Sequence, residues 1–212
     1  SWNYSPRVSN RYFLNEYLLN TSIPQDDYSD MWMAGGNISK GMEAINGIVS
    51  VRASYTAFDG AMFQNGKKSP YSSGSCRVTP KITSRLAAWC NASYELAFSR
   101  NWMKMKNSDM QSSYNNLSQL FSCNITPSKK WYVQLTGEHY YNEITPDVSK
   151  QLFLADAEFT YSFSGGWELN LSVKNLFDQN LYAYTLYDGL TNMSREYRIR
   201  GRNVMASVFF RF

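Results

Sequence analysis

Val204-Met-Ala-Ser-Val-Phe-Phe-Arg-Phe212 is the stretch that decides the fold. Val204, Ala206, Val208, Phe210 and Phe212 occupy alternate positions, and Met205, Ser207, Phe209 and Arg211 occupy the others. A strand has period two, so the first set shares one face of the sheet. Roughly 9–11 tilted strand residues cross the hydrocarbon layer of a membrane, and this stretch has that reach. A soluble protein seldom ends on a strand edged with Phe, so the expectation is the closing strand of an outer-membrane β-barrel.

The composition points the same way. Of 212 residues, 43% are apolar and 18% charged, with 16 Tyr, 12 Phe and 6 Trp. An average soluble domain carries roughly 25% charged residues. Mean hydropathy is nevertheless negative, and no apolar run approaches the roughly 20 residues of a membrane helix. A polar interior and an apolar exterior, alternating residue by residue, reconcile the two facts. The net charge of +4 is mild, and no basic cluster argues for nucleic acid. No cationic start followed by an apolar stretch appears at Ser1, so any signal peptide is expected to be gone or never to have been here. Cys76, Cys90 and Cys123 have no metal or redox spacing and read as small apolar side chains. Asn-x-Ser/Thr sequons at Asn91, Asn124 and Asn170 read as chance in an Asn/Ser-rich chain.

Three short turns end in Trp: Leu86-Ala-Ala-Trp89, Pro127-Ser-Lys-Lys-Trp131 and Ser164-Gly-Gly-Trp167. Gly41-Met-Glu-Ala44 has the same place without the Trp. Each opens an alternating segment. Trp131, Val133 and Leu135 alternate with Tyr132, Gln134 and Thr136, and Trp167, Leu169, Leu171 and Val173 with Glu168, Asn170, Ser172 and Lys174. Helical periodicity is absent. Longer polar connections are expected at Gly60–Gly74, Lys106–Ser112, Asn142–Lys150 and Asp188–Ser194. Tight turns alternating with longer loops are the layout of a membrane barrel, with short periplasmic turns and longer extracellular loops. The expected fold is all-β, an antiparallel transmembrane β-barrel segment of about ten long strands. A soluble β-sandwich also alternates, but with strands of about five or six residues.

The segment Leu171-Ser-Val-Lys-Asn-Leu-Phe-Asp178, with Tyr182, Arg200-Gly-Arg202 and Phe212, resembles the end of TonB-dependent outer-membrane receptors. Tyr4-Ser-Pro-Arg-Val-Ser-Asn10, Ile23-Pro24-Gln25 and Ala34-Gly-Gly-Asn-Ile-Ser-Lys-Gly41 resemble mid-barrel strands of the same family, in the style of the Bacteroides group. The resemblance implies that residues 1–212 are the C-terminal part of a twenty-two-stranded barrel, with plug domain and N-terminal strands absent. It also implies a nutrient importer of the outer membrane, not an enzyme, with no cofactor. Implied partners are outer-membrane lipid and lipopolysaccharide, the remaining barrel and plug, and the TonB system through that plug. The alternative is a self-contained small outer-membrane barrel: a hydrolase, a passive porin or an adhesin. The transported substrate is not legible.

The resemblance makes Val208, Phe210 and Phe212 candidates for the assembly signal. Trp89, Trp131 and Trp167 are candidates for a periplasmic aromatic girdle. Arg198, Arg200 and Arg202 share the parity of Val204 and could meet lipopolysaccharide phosphates, unless Gly201 marks a bulge that turns them inward. Tyr71, Trp102, Tyr187 and Asp188 are candidate ligand-loop residues. His139 is the single histidine, which argues against a metal centre or a catalytic triad. Asp156, Glu158, Glu138 and Lys174 read as polar lumen wall.

Overall fold

The structure, a computed structural model, describes residues 2–14, 17–107, 109, 111–145, 148–188 and 191–210. It is all-β. Strands β1 (Trp2–Leu14), β2 (Tyr17–Met42), β3 (Gly47–Gln64), β4 (Lys67–Ala87), β5 (Cys90–Met105) and β6 (Gln111–Ser128) follow one another. They are followed by β7 (Trp131–Thr145), β8 (Val148–Ser162), β9 (Trp167–Lys174), β10 (Leu181–Asp188), β11 (Thr191–Arg198) and β12 (Asn203–Phe210). Ten form one sheet in the order β1-β2-β3-β4-β5-β6-β7-β8-β9-β12, while β10 and β11 pair as a separate hairpin. The sheet is open: no ladder joins β12 to β1 among the described residues.

The strands are longer and the loops shorter than the sequence suggested. The expected loop Gly60–Gly74 is mostly ladder, with β3 and β4 meeting at Asn65-Gly66. Both turn residues have positive φ, 50° and 78°, the type I′ geometry that Asn-Gly supplies at a two-residue hairpin. Asn142–Lys150 is likewise largely strand, whereas the connection expected at Lys106–Ser112 falls between β5 and β6. The tight turns fall where expected, at Ala88-Trp89, Lys129-Lys130 and residues 163–166, and a 3₁₀ turn at Glu43–Ile45 replaces the Trp-less one. The segment from Trp167 to Tyr187 divides into β9 and β10 in different sheets.

By contacts the chain forms two units, residues 1–36, 53–77 and 99–115, and residues 37–52, 78–98 and 116–212. In the first, Met62, Phe63, Met103, Met105 and Tyr114 are buried. Phe58 meets Tyr71 at 5.6 Å and Tyr55 meets Trp102 at 5.8 Å between ring centroids. Ion pairs Lys68–Asp27 (3.0 Å) and Lys106–Asp59 (2.8 Å) tie strands at its polar surface.

In the second unit the register fixes two faces. Val204, Ala206, Val208 and Phe210 of β12 stand opposite Val173, Leu171, Leu169 and Trp167 of β9. Val173, Leu171 and Leu169 stand opposite Ala157, Phe159 and Tyr161 of β8. Those three meet Leu135, Val133 and Trp131 of β7, and Leu135 and Val133 meet Cys123 and Ile125 of β6. One apolar face therefore runs across five strands. Nothing covers most of it among the described residues: Val204 is 67% exposed, Val208 63% and Leu171 41%. The opposite face is mainly polar and hydrogen-bonded within itself. Asn170 donates to Glu158 (2.7 Å) and Thr160 (3.1 Å), and the Tyr132 hydroxyl reaches Asn124 and Gln134, both at 3.1 Å.

Two glycines test this packing. A methyl group on Gly74 would overlap the Trp102 ring and the Thr56 carbonyl, whereas one on Gly137 would find its nearest neighbour, the Phe121 Cβ, at 3.9 Å. Gly74→Ala is expected to destabilise by about 1–3 kcal/mol and Gly137→Ala to be near neutral, read as urea midpoints of the protein folded in detergent.

Candidate functional site

The segment Asn175-Leu-Phe-Asp178 leaves the ladder as a tight turn. Asn175 and Asp178 both have positive φ, 53° and 54°, a conformation that Asn and Asp tolerate better than most residues. The Asp178 N–H donates to the Asn175 carbonyl at 2.9 Å. Asn175 is 7% exposed and fully engaged. Its Nδ2 donates to the carbonyls of Gln179 (2.6 Å) and Arg200 (2.9 Å), and its Oδ1 accepts from the Gln179 N–H (3.0 Å). Its own N–H donates to Asp156 Oδ1 at 2.8 Å.

Asp178 closes the other side. Its Oδ1 accepts the Arg202 N–H at 2.7 Å, and Arg202 Nε donates to the Leu176 carbonyl at 3.0 Å. A Cβ at Gly201 would stand 2.7 Å from that carboxylate oxygen, so any side chain there would push the carboxylate from its place against the Arg202 N–H. Asn175-Leu-Phe-Asp178 and Arg200-Gly-Arg202 thus tie the start of β12 to the end of β9. The sequence singled out both segments but not their contact with each other. The signal was available: Asn and Asp placed three apart where an alternation breaks.

On the polar face beside this knot lies a cavity of about 170 Å³, lined by Glu138, Asp156, Lys174 and Arg200 among others. Lys174 pairs with Asp156 Oδ2 at 3.2 Å, and the Tyr140 hydroxyl donates to Glu138 at 2.8 Å. The ion pair is partly exposed, so its stabilisation is small. Among the described residues no group of three or more His, Cys, Asp or Glu side chains is placed to hold a metal ion.

The remaining sequence candidates are dispersed. The chain from Ile199 to Arg202 is not strand, so the parity of Val204 does not carry back to Arg198. Arg198 pairs with Leu181 in the β10–β11 hairpin, Arg200 lines the cavity with the carboxylates, and Arg202 is held by Asp178 and Leu176. Trp89, Trp131 and Trp167 each sit at a tight turn and are 45–50% exposed. Trp131 contacts Phe159 and Tyr161, and Trp167 meets Phe210 at 4.6 Å. Val208 and Phe210 lie on the apolar face, and Phe212 lies outside the described residues. Tyr71 and Trp102 pack against neighbouring rings within strands. Tyr187 and Asp188 pair with Asn192 and Thr191 across the hairpin. His139 stacks on Phe153 at 4.1 Å and accepts or donates through Nδ1 to Gln119 at 3.0 Å, on the parity of the apolar face.

In the hairpin, Tyr184 and Tyr197 stack at 5.8 Å. The Tyr184 hydroxyl and the Arg195 guanidinium hold Tyr197 below the usual phenol range, while its hydrogen bond to Tyr197 pushes Tyr184 up. No family model, no curated protein and no solved structure matches this chain.

Two outcomes follow from this geometry. Asn175→Ala strips partners from two carbonyls and an N–H, and each group left unsatisfied costs about 1–3 kcal/mol. Its loss in urea midpoint is expected to exceed that of Glu158→Gln. Phenolate absorbance should rise first from Tyr197, and Tyr197→Phe should remove that early step. A lowered acid stabilises the fold above its unfolded pKa and a raised one below it. The Tyr197 and Tyr184 shifts therefore oppose each other, and stability itself should change little across that titration.

Proposed function

We propose that this chain is barrel wall of an outer-membrane importer of the TonB-dependent type. The observation that carries the reading is the uncovered apolar face across β6, β7, β8, β9 and β12, backed by a polar, hydrogen-bonded face. In water an apolar surface of that extent is a liability. In a bilayer it faces acyl chains, and the polar side faces the lumen. Strand length supports this: β7 and β8 each have 15 residues, against about five or six in ordinary globular sheets. The rings of Trp131, Tyr161, Trp167 and Phe210 at the tight-turn end match a periplasmic interface belt.

The open sheet bears on its partners. Unpaired strand edges in lipid cost several kcal/mol per unsatisfied group, so β1 and β12 need further strands. We assign these to the rest of a larger barrel rather than to self-closure. On this reading the chain conducts no catalysis, and transport energy reaches it through a plug and the TonB system. The lipid-facing side meets outer-membrane lipid and lipopolysaccharide, and the substrate class stays open.

The test is substitution on the two faces of one ladder. Leu171→Arg, on the apolar face of β9, is expected to cost about 2–4 kcal/mol in a bilayer. Ser207→Arg, on the polar face of β12, should be tolerated. Fraction folded in lipid vesicles, read by heat-modifiable gel mobility, gives both values. Equal tolerance at both positions, or recovery of the protein in a soluble fraction, would sink the membrane reading.

A further inference from the structure

Cys90 and Cys123 are the thiol pair that meets among the described residues, with the sulfurs 3.7 Å apart and both side chains buried. They stand on adjacent strands β5 and β6. Four residues further along β5 and four back along β6, the Tyr94 hydroxyl donates to Gln119 at 2.7 Å. Cys90 has the parity of Tyr94 and Cys123 that of Gln119, so both pairs meet on one side of the sheet. Cys123 in turn pairs with Leu135, on the apolar face. Sulfurs 3.7 Å apart are already in van der Waals contact. Bonding would bring the sulfurs to about 2.05 Å.

We propose that Cys90 and Cys123 form a cross-strand disulfide when the chain matures outside the cytoplasm, and that Cys76 stays a free thiol. The inference rests on the outer-membrane reading, because disulfides form and persist in oxidising compartments such as the periplasm. The oxidant is a dithiol–disulfide protein or a small-molecule disulfide, R–S–S–R. One cysteine thiolate attacks it, forming a mixed disulfide and releasing one RSH. The second thiolate then displaces the other RS group as RSH and leaves the Cys90–Cys123 bond. Two electrons and two protons end on the oxidant's sulfurs. Cys90 follows the tight-turn residue Trp89, whose carbonyl accepts the Thr126 N–H at 2.7 Å. The bond would therefore lock β5 to β6 at the end of the ladder nearest the periplasm.

Thiol counting on the intact protein tests it. Membranes are quenched in acid to hold the thiols, and the denatured protein is labelled with a heavy maleimide either directly or after reductant. The expected result is that Cys76 alone reacts before reduction and all three cysteines after it. Cys123 should become reactive in Cys90→Ser, and peptide mapping should place the bridge between Cys90 and Cys123. Three reactive thiols without reductant, or a bridge to Cys76, overturns the proposal. A second arm is independent of location: the reduced chain is refolded in detergent with oxidised glutathione. The same bridge is expected, and stable glutathione adducts at both cysteines would count against the geometry. Fractionation separates the two ideas. Outer-membrane protein with three free thiols sinks the disulfide and leaves the importer reading standing.

Discussion

The fixed register of the antiparallel ladder is the constraint on which the rest of this molecule depends. Side chains alternate with period two, so slipping any strand by one residue would exchange its faces. Leu171 opposite Phe159, Phe159 opposite Val133 and Val133 opposite Ile125 stay on one face only because every adjoining register agrees. Local chemistry pins that agreement. Asn65-Gly66 supplies the tight turn between β3 and β4, and the Asn175–Asp178 knot sets where β12 begins against β9.

The two faces solve different solvation problems. On the polar side, Asn170, Glu158, Thr160, Tyr132 and Gln134 satisfy one another. Buried polar groups need such partners, and in a lumen they share them with water. Among the described residues the apolar side has no second layer, since Val204, Val208 and Trp167 are at least half exposed. Among the described residues few large side chains are buried, so packing inside the sheet does little to fix these ladders. Backbone hydrogen bonding in long ladders supplies the order.

The sheet's alternation was legible because it is local. Trp167, Leu169, Leu171 and Val173 announce a face by themselves, and so do the Trp-ended turns. Loop lengths were read less well. Gly60–Gly74 is rich in polar residues, yet strands that project beyond an apolar band keep pairing while their side chains turn polar, so composition alone cannot mark where a ladder ends. The arginines were left between two faces for a related reason. Parity extends only through unbroken strand, and residues 199–202 interrupt it. Asn175 shows the limit from the other side, since its value lies in carbonyls of Gln179 and Arg200, the latter 25 residues away.

By itself the sequence determined the all-β class, the period-two faces and the positions of the tight turns, because each follows from a few neighbouring residues. Only the tertiary structure decided which strands pair. It set β12 against β9 rather than β11, left the sheet open, and brought Asp178 to Arg202 and Cys90 to Cys123. Those outcomes depend on ladder hydrogen bonds between distant segments. A backbone N–H is the same in every non-proline residue, so nothing in the local sequence names its partner.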